Sequence, residues 1–132
     1  MIGIDTNVLL RCLVNDNSEQ NEIARRFLAK RNDDDPAFVS AITLAETFWV
    51  LSRQMKFASD RLISVLRTML ATDGLMFEFA GELELFIDSE GVDVDMVADN
   101  LVHWSARRAG CDTSVTFDKK AATRISGMEL LA

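Results

Sequence analysis

The chain has 132 residues, 48% of them hydrophobic and 27% charged, which suits one compact soluble domain with its own core. No apolar run approaches a membrane span and Asp5 interrupts the apolar start too early for a signal peptide, so a cytoplasmic protein is expected. The net charge of −7 argues at first sight against a nucleic-acid enzyme, and two cysteines exclude a disulfide framework or a zinc knuckle.

In chain order, residues 2–5 read as a short buried strand, and Val8 to Val14 as helical turns after an Asp5-Thr6-Asn7 turn. Asp16-Asn17-Ser18 supplies cap residues for a helix whose stripe is Ile23, Ala24, Phe27 and Leu28, running to about Arg31. Asn32 to Pro36 is a polar breaker and Ala37-Phe38-Val39 a second strand. Thr43 to Met55 is a helix with Leu44, Phe48, Leu51 and Met55 on one face, and Ser59 opens another that buries Leu62, Ile63, Leu66, Met69 and Leu70. Leu75 to Phe79 is strand-like with Leu75, Phe77 and Phe79 on one face, and Leu83 to Ser89 is helical. Val97 to Ala109 is a helix closed by Gly110, Thr113 to Phe117 a strand, Lys119 to Ile125 a short helix, and Glu129 to Leu131 a last edge strand. Strands alternating with helices imply a parallel sheet covered on both faces, in one domain over residues 1–132. Cys12 and Cys111 are expected as reduced core residues.

The charge is unevenly placed. No Lys or Arg occurs between Arg67 and Arg107, a stretch carrying nine acids from Asp73 to Asp99, and the remainder of the chain sums to +2. Basic pairs such as Arg25-Arg26, Lys30-Arg31, Arg107-Arg108 and Lys119-Lys120 are available to a phosphate backbone, or serve as solvated surface.

Four acids stand where strand or helix ends would aim carboxylates at one spot: Asp5, Glu46, Asp99 and Asp118. Open parallel sheets bind ligands beyond the carboxyl ends of their strands, and Asp5 and Asp118 both fall just past strand ends. Asp99 is placed in the first turn of its helix and Glu46 one turn into the helix after Ala37–Val39. Crowded carboxylates need a counter-ion, and hard divalent cations take oxygen ligands, so a Mg²⁺ or Mn²⁺ site and phosphodiester hydrolysis are the leading reading. Bland readings stand beside it. Thr43-x-x-Glu46 has the form of a capping box, Asp118 of an N-cap, and Asp99 of a first-turn acid. An aspartyl-phosphate phosphatase would want a second Asp at position 7, which is Asn. A non-catalytic interaction module would have no use for the quartet. His103, the only histidine, lies one turn after Asp99 and is expected to pack rather than react.

The segments Ile4-Asp5-Thr6-Asn7-Val8-Leu9-Leu10-Arg11, Val39-Ser40 to Glu46-Thr47-Phe48-Trp49-Val50-Leu51, Ala98-Asp99-Asn100-Leu101 to Cys111-Asp112, and Val115-Thr116-Phe117-Asp118-Lys119-Lys120 together resemble the PIN-domain nucleases. Within that family they most resemble VapC-type toxins of type II toxin–antitoxin pairs. The resemblance spans nearly the whole chain, with four motifs in the family's order. It implies a three-layer α/β/α sandwich around a parallel sheet of about five strands, and a Mg²⁺- or Mn²⁺-dependent endoribonuclease. The same likeness implies inhibition by a VapB-type antitoxin, contact with operator DNA only through that antitoxin, and a homodimer; a housekeeping PIN nuclease of RNA maturation is the alternative. It carries over Asp5, Glu46, Asp99 and Asp118 as metal ligands and catalytic acids, with Asp5 and Asp99 as principal ligands. Asn7 and Thr116 become supporting groups. Beside the resemblance, Arg11 reads as a contact for RNA phosphate or the antitoxin, or equally as a surface cation, and Trp49 as part of a groove for an antitoxin helix, or as a core residue. Many relatives carry a further Asp three places before the third acid. That place is Met96 here, so either Asp95 takes the part or the site works with four acids.

Overall fold

The computed structural model describes residues 1–131; Ala132, the last residue of the expected domain, lies outside the described residues. Five strands and seven helices alternate: β1 (Ile2–Gly3), α1 (Thr6–Leu13), α2 (Ser18–Ala29), β2 (Ala37–Val39), α3 (Ala41–Trp49), α4 (Ser59–Leu70), β3 (Leu75–Phe77), α5 (Ala80–Ile87), α6 (Asp95–Arg108), β4 (Ser114–Thr116), α7 (Lys119–Arg124) and β5 (Met128–Leu130). The class is the expected α/β, and every strand pairing is parallel.

The strands form two sheets rather than one continuous sheet. β2 lies between β1 and β3, with Gly3 opposite Phe38 and Phe38 opposite Met76; β4 pairs only with β5, with Val115 opposite Glu129. β1 is only two residues long, because Asp5 already turns the chain by capping α1, its side chain accepting the Val8 N–H at 2.9 Å. β4 is held elsewhere. Ser114 Oγ lies 2.9 Å from Nδ1 of the buried His103 on α6, and Gly127, at the entry to β5, lies against the same ring. Gly127 adopts a φ of +93°, and a Cβ there would lie 2.2 Å from His103 Nε2. Only glycine meets both conditions.

Local chemistry explains most helix starts. Asn17 accepts the Gln20 N–H, Ser40 the Thr43 N–H, and Asp118 the Lys120 and Ala121 N–H groups. The main core gathers Leu9, Leu44, Leu51, Leu62, Leu66 and Leu83, each essentially sealed from solvent and contributing about 1.5–3 kcal/mol by burial. Ala121, Ile125 and Met128 form a second, smaller cluster. Half-buried Met96 packs against both, which accounts for an apolar residue at that place.

Three details depart from expectation. The helix from α3 does not run on to Met55 as a regular α-helix: Val50–Gln54 forms a π-turn, with the Met55 N–H reaching back to the Val50 carbonyl. The third strand stops at Phe77, because Phe79 takes a left-handed φ of 63° and starts α5 instead of continuing the face. Cys111 is not a core residue; it is exposed just after Gly110, while Cys12 is half-buried. Burial pushes the Cys12 thiol up, an effect partly offset by the nearby Arg25. No helix among the described residues is long and apolar enough to cross a membrane.

Candidate active site

Two concave regions hold three of the four acids singled out from the sequence. The first, of about 370 Å³, lies between α3 with its π-turn, the start of α6, and α7. Asp95, Asp99 and Asp118 line it together with Arg53, Lys120 and Arg124, and Trp49 forms part of its wall. The second is an apolar groove of about 720 Å³ along β1, α1 and α2, and it contains Asp5, Asn7 and Arg11. Glu46 lines neither; it is exposed on α3.

Each acid owes its position to a local cause. Helix α6 begins at Asp95, two residues before the expected start, so Asp99 sits in the second turn and Asp95 takes the first-turn place. The chain reaches α6 through Asp93, whose carboxylate accepts the Asp95 N–H at 2.9 Å. The hydroxyl of Ser59 reaches in from α4 to receive the Val94 N–H. Asp118 follows β4 and caps α7 with Oδ1, while its own N–H donates to Thr116 Oγ1 at 3.0 Å. Thr116 therefore orients the backbone on which Asp118 rides. Glu46 is not a capping-box acid, since the cap of α3 is Ser40.

The electrostatics single out Asp99. Burial, then the charges of Asp118 and Asp95, push its carboxyl above the ordinary carboxylate range. Asp118 and Asp95 act on Asp99 as like charges, and such repulsion is what a hard divalent cation relieves. By donor type the set fits Mg²⁺ or Mn²⁺. By placement the described residues do not gather that set at one point. Among the described residues no group of three or more His, Cys, Asp or Glu lies close enough to hold one ion, and Asp5 and Glu46 stand apart from Asp95, Asp99 and Asp118.

Of the cations in this region, Lys120 was named from the sequence, whereas Arg53 and Arg124 were not. Arg53 follows Trp49 by one helical turn, a spacing that is readable in the sequence. Arg124 follows Asp118 on a helix too short to show a pattern, and its guanidinium lies 3.9 Å from Asp93. Arg11 is engaged locally, with Nε donating to Gln20 Oε1 at 2.6 Å and Nη1 to Asp16 Oδ1 at 2.9 Å. Trp49 is 54% exposed while its neighbour Phe48 is buried. Glu78, also passed over, ties three elements together. Its Oε1 accepts the Ala41 N–H at the start of α3, and its Oε2 accepts from Arg108 at the end of α6.

Comparison with curated proteins and with solved structures finds no match. Comparison with family models finds one, the PIN domain, over residues 2–126. PIN domains are in general metal-dependent nucleases, which places this chain among the hydrolases at that level. Since that match takes in β1, all four acids and α7, the chain belongs to the PIN-domain family.

Proposed function

We propose that the protein is a Mg²⁺- or Mn²⁺-dependent endoribonuclease and the toxin of a VapC-type toxin–antitoxin pair, held inactive by a VapB-type antitoxin. The observation that carries the nuclease half is the region shared by α3, α6 and α7, where Asp95, Asp99 and Asp118 face a rim of Arg53, Lys120 and Arg124. Carboxylates and cations lining one region suit a metal-dependent reaction on a polyanion. The toxin half rests on the resemblance of the four motifs and on their order along the chain.

Bound there, the ion supplies an acidified water and a polarised phosphoryl oxygen. The chain's own groups do the rest. Asp99 and Asp118 hold their carboxylates toward the pocket from a rigid helix and a capped strand end. Arg53, Lys120 and Arg124 are placed to take phosphates on either side of the scissile bond. Trp49 offers an exposed ring on which an unpaired base can stack. In-line attack with departure of the 3′ oxygen leaves a 5′-phosphate and a 3′-hydroxyl. Asp118 serves as the proton acceptor in this scheme.

The test is cleavage of a total RNA pool by purified protein freed of any partner. Discrete cleavage with Mg²⁺ or Mn²⁺, lost in EDTA and in Asp99→Asn, is expected. Metal-independent cleavage, or full activity in Asp99→Asn, would refute the reading. Growth arrest on expression without a partner separates a toxin from an RNA-maturation nuclease.

A further inference from the structure

Of the three cations lining the region between α3, α6 and α7, one is already engaged. Among the described residues Arg53 and Lys120 have no carboxylate partner, whereas Nη1 of Arg124 lies 3.9 Å from Oδ2 of Asp93. The two members of this pair are held very differently. Oδ1 of Asp93 accepts the Asp95 N–H at 2.9 Å and the Ser59 hydroxyl at 3.4 Å, while Ser59 Oγ receives the Val94 N–H at 2.9 Å. One carboxylate oxygen is thus pinned to the starts of α6 and α4, and the other is left to Arg124. Arg124 is the last residue of α7, and its side chain is 37% exposed. At 3.9 Å its contact with Asp93 is electrostatic and lacks a hydrogen bond.

Distance and charge decide what such a pair can do. An ion pair beyond hydrogen-bond reach and open to water holds its cation weakly. A phosphate offers a guanidinium two oxygens at once, in the charge-assisted fork geometry that the contact with Asp93 lacks. Asp93 does not line the region, so its pull on Arg124 is toward the edge. The pinned carboxylate cannot follow if the guanidinium turns inward. Helix α7 stays in place when it does, because Ala121 and Ile125 are buried in a cluster with Met128 against Met96 of α6. Only the flexible stem of Arg124 has to move.

We propose that Asp93 is a built-in competitor of the substrate: Arg124 exchanges between Oδ2 of Asp93 and a phosphate of the bound RNA strand. Asp93 then sets the affinity for substrate without touching the strand or the reacting groups, and is a positioning residue that acts through Arg124. Arg53 and Lys120 have no such rival, so the Asp93 charge works on one of the three phosphate contacts and leaves the other two alone. That the phosphate belongs to RNA rests on the nuclease reading above; the exchange itself needs only a phosphate.

Two experiments test it. In the first, KM and kcat for RNA cleavage are measured at one ionic strength for wild type, Asp93→Asn, Arg124→Ala and the double variant. Asparagine keeps an oxygen for the Asp95 N–H and removes only the charge, so α6 still starts where it does. Asp93→Asn should lower KM about two- to fivefold, the scale of an exposed ion pair, with kcat unchanged. Arg124→Ala should raise KM, and adding Asp93→Asn to it should then change nothing. An equal fall in KM with and without Arg124 would make Asp93 a remote charge and overturn the proposal. A rise in KM, or a fall in kcat, in Asp93→Asn would overturn it too, since the carboxylate would then support the site rather than compete with the substrate. In the second experiment the Arg124 Nε–H resonance is followed by NMR as inorganic phosphate is added to the protein without RNA. Half-saturation should come at a phosphate concentration about two- to fivefold lower in Asp93→Asn. That shift in a protein that cleaves no RNA would sink the nuclease reading and leave the exchange standing. An active wild type whose KM ignores Asp93, with a resonance that phosphate does not move, would do the reverse.

Discussion

Replacing Gly127 by alanine should damage this protein more than its size suggests. The backbone at Gly127 has a φ of +93°, which disfavours a residue with a Cβ by about 1–2 kcal/mol. The new methyl would also fall 2.2 Å from His103 Nε2 and 2.5 Å from Cε1. The ring is only 3% exposed and is held by Ser114, so it cannot swing clear without breaking that bond. Overpacking of this kind costs about 1–3 kcal/mol, so the total is about 2–5 kcal/mol. Urea denaturation checks it, read as a shift in midpoint at constant slope. A double-mutant cycle with His103→Ala separates the two causes: without the ring the clash disappears, and only the backbone cost should remain. A loss below about 0.5 kcal/mol, typical of a plain surface change, or an equal loss with and without the ring would refute the argument.

Other consequences are testable. Because the Asp99 carboxyl is pushed up in the folded state, the native protein holds a proton there that the unfolded chain has released, so metal-free stability should fall as pH rises through that window. Asp99→Asn in EDTA should therefore be more stable than wild type near pH 7 and flatter with pH down to about pH 4, by urea midpoints; equal stability at neutral pH would contradict this. Thr47 is fully buried in α3 and its hydroxyl has no hydrogen-bond partner. Thr47→Val should raise stability by about 1 kcal/mol, and a drop in the thermal midpoint would mean that the hydroxyl is satisfied after all.

Features decided within a few residues of chain were legible in the sequence. The helix following Asn17 was marked by a cap and an apolar stripe, and β2 by a short apolar run after a polar breaker. The positions of Asp5 and Asp118 were readable for the same reason, since each caps the helix that follows it. What escaped was settled at long range or by strain. Nothing near Phe79 announces a left-handed backbone at a bulky residue, and nothing in Val50 to Gln54 announces a π-turn. Glu46 carries the spacing of a capping box, yet Ser40, three residues before Thr43, begins the helix. The division of the sheet depends on whether β4 prefers β1 or α6. His103 and Gly127 help to hold β4 and β5 against α6, and they lie 24 residues apart in the sequence.

The π-turn after α3 bears on how the chain tolerates changes of length. Such a turn is an α-helix that has accommodated one residue too many, and every side chain beyond it is rotated by about 100° from where an uninterrupted helix would place it. Leu51 stays sealed in the core, and Met55 and Phe57 still pack against it. The surplus is thus absorbed within Val50–Gln54, before the chain turns toward α4. Losing one residue there would relax the segment to ordinary helical geometry, whereas the same loss inside Ala41–Trp49 would turn Leu44 and Phe48 out of the core. One stretch of the helix is therefore a reservoir for insertions and deletions, while its neighbour two turns earlier is intolerant of them.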